Sequence, residues 1–186
     1  YIVCTGSSLG EKRIETEALL RNAGLEKLGV QADVILTELG VKSVYRSPIE
    51  TKPSELAIEA AVKALQKFPG SPHDIGFLAF CGIERDSTEP ATAHKIKKEL
   101  GMPSALGHDI SDACHGFTQG VRTARAMIES GAVKFAMVVT GERSSIRSDQ
   151  ITQMFKRGEL SADNVRTTKG VFSLGDAGGA LILGAS

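Results

Sequence analysis

The passage Ala105-Leu106-Gly107-His108-Asp109-Ile110-Ser111-Asp112-Ala113-Cys114-His115-Gly116-Phe117 decides how this chain folds. Its first six residues form an apolar stretch of strand length. From Phe117 to about Glu129 the apolar residues recur at helical spacing. Cys114 therefore stands where a strand ends and a helix begins. Backbone N–H groups at a helix N-terminus stabilise negative charge and favour thiolate over thiol. A thiolate at such a turn is a candidate covalent nucleophile. Structural burial is the commoner fate of a lone cysteine, so position alone leaves both readings open.

Working outward, the same alternation repeats. Tyr1 to Thr5 reads as a strand stopped by Gly6-Ser7-Ser8. Glu15 to about Gly29 reads as a helix, and a shorter one covers Ala32 to Leu39 and ends at Gly40. Val41 to Glu50 is irregular or an edge strand. Ser54 follows a proline and is placed to cap a helix running to about Phe68. The apolar face of that helix is Leu56, Ala57, Ala60, Ala61, Ala64 and Leu65. Ile75 to Cys81 is an apolar run of strand length. Ala91 to Leu100 is a helix closed by Gly101, and Lys134 to Thr140 is the next apolar strand. Arg147 to Lys169 is polar and poorly periodic, with a short helix at Ile151 to Lys156, and reads as a surface excursion. Val171 to Ser173 and Gly179 to Leu183 then suggest a closing hairpin around Gly175-Asp176-Ala177-Gly178. Continuous apolar strands alternating with helices imply an α/β fold with a mostly parallel sheet covered on both faces.

Composition narrows the function. The 186 residues suit one domain with a sizeable core, and 41% hydrophobic with 24% charged residues is a globular balance. Zero formal net charge implies no nucleic-acid surface. Cys4, Cys81 and Cys114 show no CxxC spacing, which argues against zinc and against a disulfide framework and fits a reducing compartment. His73, His94 and His108 show no metal-ligand pairing. His115 follows the cysteine directly, and adjacent helical residues point apart, so it is not placed to act as base for Cys114. No apolar run has the length of a membrane span, and the cytoplasm is the expected compartment. The chain opens inside one strand-like run and stops after another, as expected of a domain of a longer protein.

Three stretches together resemble the thiolase superfamily, and within it a ketoacyl-ACP synthase III type of condensing enzyme. The first is the opening turn Thr5-Gly6-Ser7-Ser8-Leu9. The second runs from Asp109 to Phe117 and resumes at Ser130-Gly131-Ala132-Val133-Lys134-Phe135-Ala136-Met137-Val138-Val139, like the nucleophile segment and the next strand. The third is Leu174-Gly175-Asp176-Ala177-Gly178-Gly179-Ala180. The resemblance covers nearly the whole chain and implies a five-stranded mixed, mostly parallel sheet, with residues 1–186 as a single N-terminal domain whose C-terminal half is absent. It implies that Cys114 accepts an acyl group from CoA or a carrier protein as a thioester. A malonyl-type thioester then decarboxylates and condenses with that group. The Cys114 backbone N–H would supply half of an oxyanion hole. The family's His and Asn partners lie in the other half, so this chain alone is expected to lack condensation activity. The resemblance implies acyl carrier protein, acyl-CoA and the chain's own C-terminal half as partners. It also implies no cofactor and a homodimer with the strand Lys134 to Thr140 near the interface.

Three departures qualify this. Members that use CoA commonly grip it with a Trp and an Arg where this chain has Val34 and Glu38, which shifts the expected donor toward a carrier protein. Glu89, before Pro90, stands where many members carry an aromatic that floors the partner's acyl pocket. A carboxylate there is costly in an apolar pocket unless paired, so Glu89 either faces solvent or serves a polar acyl group. The polar stretch 143–169 is longer than expected, and its Arg143, Arg147, Lys156, Arg157, Arg166 and Lys169 could meet an acidic carrier or simply face water. Gly82-Ile83-Glu84 weakly resembles the glutamate loop of hydroxymethylglutaryl-CoA synthase. That alternative stays open beside acyl transfer to an O or N nucleophile and a non-catalytic partner subunit.

Overall fold

The computed structural model of the chain describes residues 1–185. In chain order the elements are β1 (Ile2–Leu9), β2 (Lys12–Glu15), α1 (Thr16–Asn22), α2 (Ala32–Leu39), β3 (Ser43–Arg46), α3 (Pro53–Leu65), β4 (Ile75–Cys81), α4 (Thr92–Glu99), β5 (Leu106–Ile110), α5 (Gly116–Glu129), β6 (Phe135–Arg143), α6 (Ser145–Lys156), α7 (Ala162–Thr168) and β7 (Asp176–Gly184). Short 3₁₀ turns cover Leu25–Leu28, Pro72–Asp74 and Lys169–Ser173. Two compact units result. One is built from Tyr1–Leu9, Glu50–Glu142 and the stretch from Ala177 on; the other from Gly10–Ile49 and Arg143–Asp176.

The first unit is a five-stranded mixed sheet in the order β1-β7-β6-β4-β5. β4 runs parallel to both neighbours, with Ala79 opposite His108 on β5 and opposite Val138 on β6. β1 closes the other edge antiparallel to β7, with Thr5 opposite Leu181. The strict alternation of β4 explains its continuous apolar run. Leu78 and Phe80 face a core with the alanines of α3 and with Ala93 and Ile96 of α4. Phe77, Ala79 and Cys81 face a second core with Ala124 of α5. Both faces are therefore covered by helices, as the sequence implies.

β1 does not stop at Gly6; it continues to Leu9. A Cβ at Gly6 would collide with the backbone oxygen of Ala60 and sit 2.6 Å from Ala64 N, so this glycine admits α3 rather than ending the strand. Gly178 does the same on β7, where a Cβ would lie 2.6 Å from the Leu56 carbonyl carbon. The expected hairpin around residues 175–178 is accordingly one nine-residue strand. Ser54 is not the cap of α3. Lys52 holds that position, its N–H bonded to Glu55 Oε2 at 3.1 Å, while Ser54 sits inside the first turn and serves another partner. β6 lies inside the sheet between β7 and β4, with Ala136 to Val139 fully buried by the unit itself.

The second unit pairs β2 antiparallel with β3, Ile14 opposite Val44, beside α1, α2, α6 and α7. Leu20, Leu25, Ile35, Val44, Phe155, Val165 and Phe172 form its core. The helix expected from Glu15 to Gly29 is broken: Gly24 takes a left-handed φ of 75°, ending α1 and starting the 3₁₀ turn. Residues 147–169 are not a surface excursion, because α6 and α7 bury Phe155 and Val165 in this core. Asp176 is also fully enclosed here. Its carboxylate accepts from Ser47 N at 2.7 Å, Ser145 N at 2.8 Å and Ser145 Oγ at 2.8 Å, joining the end of β3 to the start of α6.

Candidate active site

The passage after β5 makes two tight turns before α5 begins. Ala113 holds a φ of 43°, a left-handed conformation that a side chain rarely adopts. The His115 N–H bonds to the Asp112 carbonyl at 2.9 Å and the Gly116 N–H to the Ala113 carbonyl at 3.1 Å. The Gln119 amide donates to Asp112 Oδ2 at 3.0 Å, tying the turn to the helix that follows. Cys114 is thereby exposed at the N-terminal end of a fourteen-residue helix. The N-terminal end of a helix dipole favours negative charge that develops there on a bound oxygen. His115 occupies the N-cap position and is exposed.

α5 approaches the sheet closely at two glycines. Gly116 is buried near the end of β4, and a Cβ at Gly120 would collide with Cys81 Sγ. Cys81 contrasts with Cys114 in burial. It is buried at the end of β4, and burial, reinforced by the Asp109 carboxylate, pushes its thiol up to about 12. It is a packing thiol at neutral pH, whereas Cys114 meets solvent. Cys4, buried on β1, is also raised by burial, with Lys67 acting in the opposite sense.

The loop after β4 is fixed at several points. Asp109 Oδ2 and Oδ1 accept the N–H groups of Thr92 and Ala93, both at 2.8 Å, capping α4 from β5. Arg85 Nε lies 4.0 Å from the same carboxylate. Asp86 accepts from Ser54 N at 3.0 Å, Ser54 Oγ at 2.6 Å and Lys95 Nζ at 2.7 Å. Burial opposes the Asp86 charge, but Lys95 and Ser54 together outweigh it and hold the carboxyl below its ordinary range. The Ile83 N–H donates to Glu142 Oε1 at 2.7 Å. Glu89 precedes a cis peptide to Pro90 and is exposed. Sequence reasoning passed over Asp86, Lys95 and Asp109. The signal for Asp109 was present, as one carboxylate within an otherwise apolar strand.

Cys114 and Glu89 belong to the first unit, Val34 and Glu38 to the second. Val34 and Glu38 lie one turn apart on α2 and line a shallow cavity of about 350 Å³ with Arg166 and Lys169. Glu38 is ion-paired with Lys169. The carboxylate at 38 is thus balanced by a cation from the segment after α7. No group of three or more His, Cys, Asp or Glu side chains is placed to hold a metal among the described residues. Among them, no helix is long and apolar enough to cross a membrane.

The family described as 3-oxoacyl-[acyl-carrier-protein] synthase III matches residues 108–186, the part of the chain that carries Cys114. The β-ketoacyl-[acyl-carrier-protein] synthase III of Desulfitobacterium hafniense is 36% identical over 145 residues, 77% of this chain and 42% of the relative. That of Listeria welshimeri is 32% identical over 177 residues, 95% of this chain and 52% of the relative. The chain spans about half the length of the curated relatives it matches. Among solved structures, acetamide-bound OleA from Xanthomonas campestris superposes with a TM-score of 0.91 over 100% of this chain and 58% of that one. At 23% identity this likeness concerns the fold, which is thiolase-like.

Proposed function

We propose, for this ketoacyl synthase III-like chain of the thiolase superfamily, that Cys114 is the acyl-accepting nucleophile of a carbon–carbon bond-forming acyltransferase. The observation that carries this is the exposed cysteine held between left-handed Ala113 and the N-terminus of α5. The Cys114 sulfur attacks the carbonyl of an acyl thioester. A new C–S bond forms, and the donor thiolate leaves and takes up a proton. The backbone N–H of Cys114 contributes to stabilising the oxyanion of that step. A malonyl-type thioester then loses CO₂. The resulting carbanion attacks the acyl carbon, and the Cys114 thiolate departs.

Residues 1–186 act as one thiolase-like half, and the groups that assist decarboxylation come from the second half. The protein works as a homodimer in the cytoplasm, in fatty-acid or polyketide biosynthesis, without metal or organic cofactor. An acyl carrier protein is the donor that the residues at 34 and 38 favour, since no aromatic platform lines that cavity and the carboxylate of Glu38 is ion-paired with Lys169. Glu89, exposed on the anchored loop, faces solvent or a polar acyl group.

The test is intact-protein mass spectrometry after incubation with acyl-CoA and acyl-carrier thioesters, beside Cys114→Ala. A gain of one acyl mass that vanishes in the variant is expected. The absence of any adduct in folded protein, together with slow iodoacetamide labelling of Cys114, overturns the assignment in favour of a non-catalytic partner subunit.

A further inference from the structure

We propose that the second unit carries a binding site for an amphipathic monocarboxylate, with the carboxylate on Arg143 and the aliphatic body along α6. A cavity of about 550 Å³ lies wholly within this unit, in the range of small-molecule sites. One wall is a single face of α6. Ile146, Gln150, Gln153, Met154 and Arg157 line it at helical spacing, while Ser148, Thr152 and Phe155 turn to the protein interior. α6 therefore presents two half-buried apolar side chains, Ile146 and Met154, to the cavity, two turns apart with Gln150 between them. Ile49 stands at the lip and is 82% exposed.

The charges on the lining do not cancel. Arg46 is paired with Asp149 at 2.7 Å, and Arg157 with both oxygens of Glu159 at 2.6 and 3.3 Å. Arg143 forms no ion pair among the described residues; its Nη1 donates to the Ile49 carbonyl. Its Nε is buried without a hydrogen-bond partner, as is that of Arg46. Those two atoms are turned away from the cavity, so any ligand would meet the outer nitrogens of the Arg143 guanidinium. The guanidinium is also already withdrawn from part of its water and fixed in direction, so binding an oxyanion orders little that is not ordered. One surplus positive charge suits one negative charge. The carboxylates of Asp149 and Glu159 repel a second, which disfavours a doubly charged phosphate. Ile146, Met154 and the exposed Ile49 give a hydrocarbon body apolar side chains to lie against. This site uses no residue of the Cys114 turn and does not rest on the acyltransferase reading.

The test is calorimetric titration of sodium decanoate, below its micelle concentration, into Cys114→Ala protein. Decanol, decyl phosphate and inorganic phosphate serve as comparators. Saturable binding of decanoate is expected, weakened about tenfold by Arg143→Gln, the loss of one charge-assisted bond. Arg143→Lys keeps the charge and loses the planar fork, so it falls between. Ile49→Asp changes an exposed side chain, cannot unfold the unit, and is expected to weaken binding by a similar factor. No saturable binding overturns the proposal. So does binding indifferent to both Arg143→Gln and Ile49→Asp in folded protein, decanol equal to decanoate, or either phosphate probe binding more tightly than decanoate.

Discussion

Gly120→Ala is a small change with two opposed effects whose balance the structure decides. In an exposed helix it would stabilise α5 by about 1 kcal/mol through propensity. Here the new Cβ would collide with Cys81 Sγ and lie 2.8 Å from Val138 Cγ1, both on strands beneath the helix. Neither neighbour has an empty space to enter, since Cys81 is 3% exposed and Val138 0%. Overpacking of this kind costs about 1–3 kcal/mol, so the variant is expected to be destabilised by up to about 2 kcal/mol net. For a domain of this size that is a fall in Tm of about 4–8 °C. The displacement falls on the helix that carries Cys114 at its start, so iodoacetamide labelling of Cys114 should change in the same variant. Cys81→Ala removes the obstructing sulfur and alone costs about 1 kcal/mol for the space it leaves. Combined, the two changes should compensate, with a coupling of at least about 1 kcal/mol in urea denaturation. Additivity within about 0.5 kcal/mol would refute the packing argument, because residues in contact are not independent.

Two pH predictions follow from the buried ionisable groups. Asp86 is held below its unfolded value, so it contributes stability that is complete above about pH 4 and lost as pH falls through its lower folded value. Asp86→Asn should remove about 1–2 kcal/mol at pH 7, allowing for a Lys95 partner that is 38% exposed, and flatten the acid limb of a stability profile. An unchanged acid limb would show that Asp86 is not the titrating group. Cys81 is raised in the folded state, so its contribution is complete below about pH 9 and is lost between there and about 12. Cys81→Ala should therefore reduce the steepness of alkaline unfolding, and iodoacetamide at neutral pH should label Cys114 while sparing Cys81. Equal labelling in native protein would overturn the assignment of buried and exposed thiols.

Much of the first unit was legible because one physical rule governs it. A strand buried on both faces must be apolar throughout, and Ile75 to Cys81 announces itself that way. The turn at Cys114 was legible for the same reason, as the end of one period and the start of another. What escaped was decided by long-range contact. Gly6 and Gly178 read locally as turn residues, yet both lie in strands, because α3 presses its alanine face against them from more than 45 positions away in the chain. Residues 143–169 read as solvated because α6 and α7 are short and mostly polar, and their buried side chains, Phe155 and Val165, need α1 and α2 to complete a core. Asp86 and Lys95 are nine residues apart, and no periodicity links a loop carboxylate to a helix amine and a serine forty-one residues earlier.

The two cysteines near α5 sit in different surroundings, one buried beneath the helix and one exposed at its start. At Gly120 the helix side lies over Cys81, excludes water, and with Asp109 nearby keeps that thiol protonated. At its start, left-handed Ala113 and two tight turns leave Cys114 exposed. An ordinary right-handed conformation at 113 would carry the chain in another direction at this turn. The strain at Ala113, of order 1–3 kcal/mol for a residue in a sparsely populated region, is sustained by Asp112, which bonds His115 through its carbonyl and Gln119 through its carboxylate. A glycine at 113 would remove the strain without supplying a reason for it. A residue that bears a side chain there, with hydrogen bonds on both sides, holds the turn in one conformation, as the proposed role of Cys114 requires.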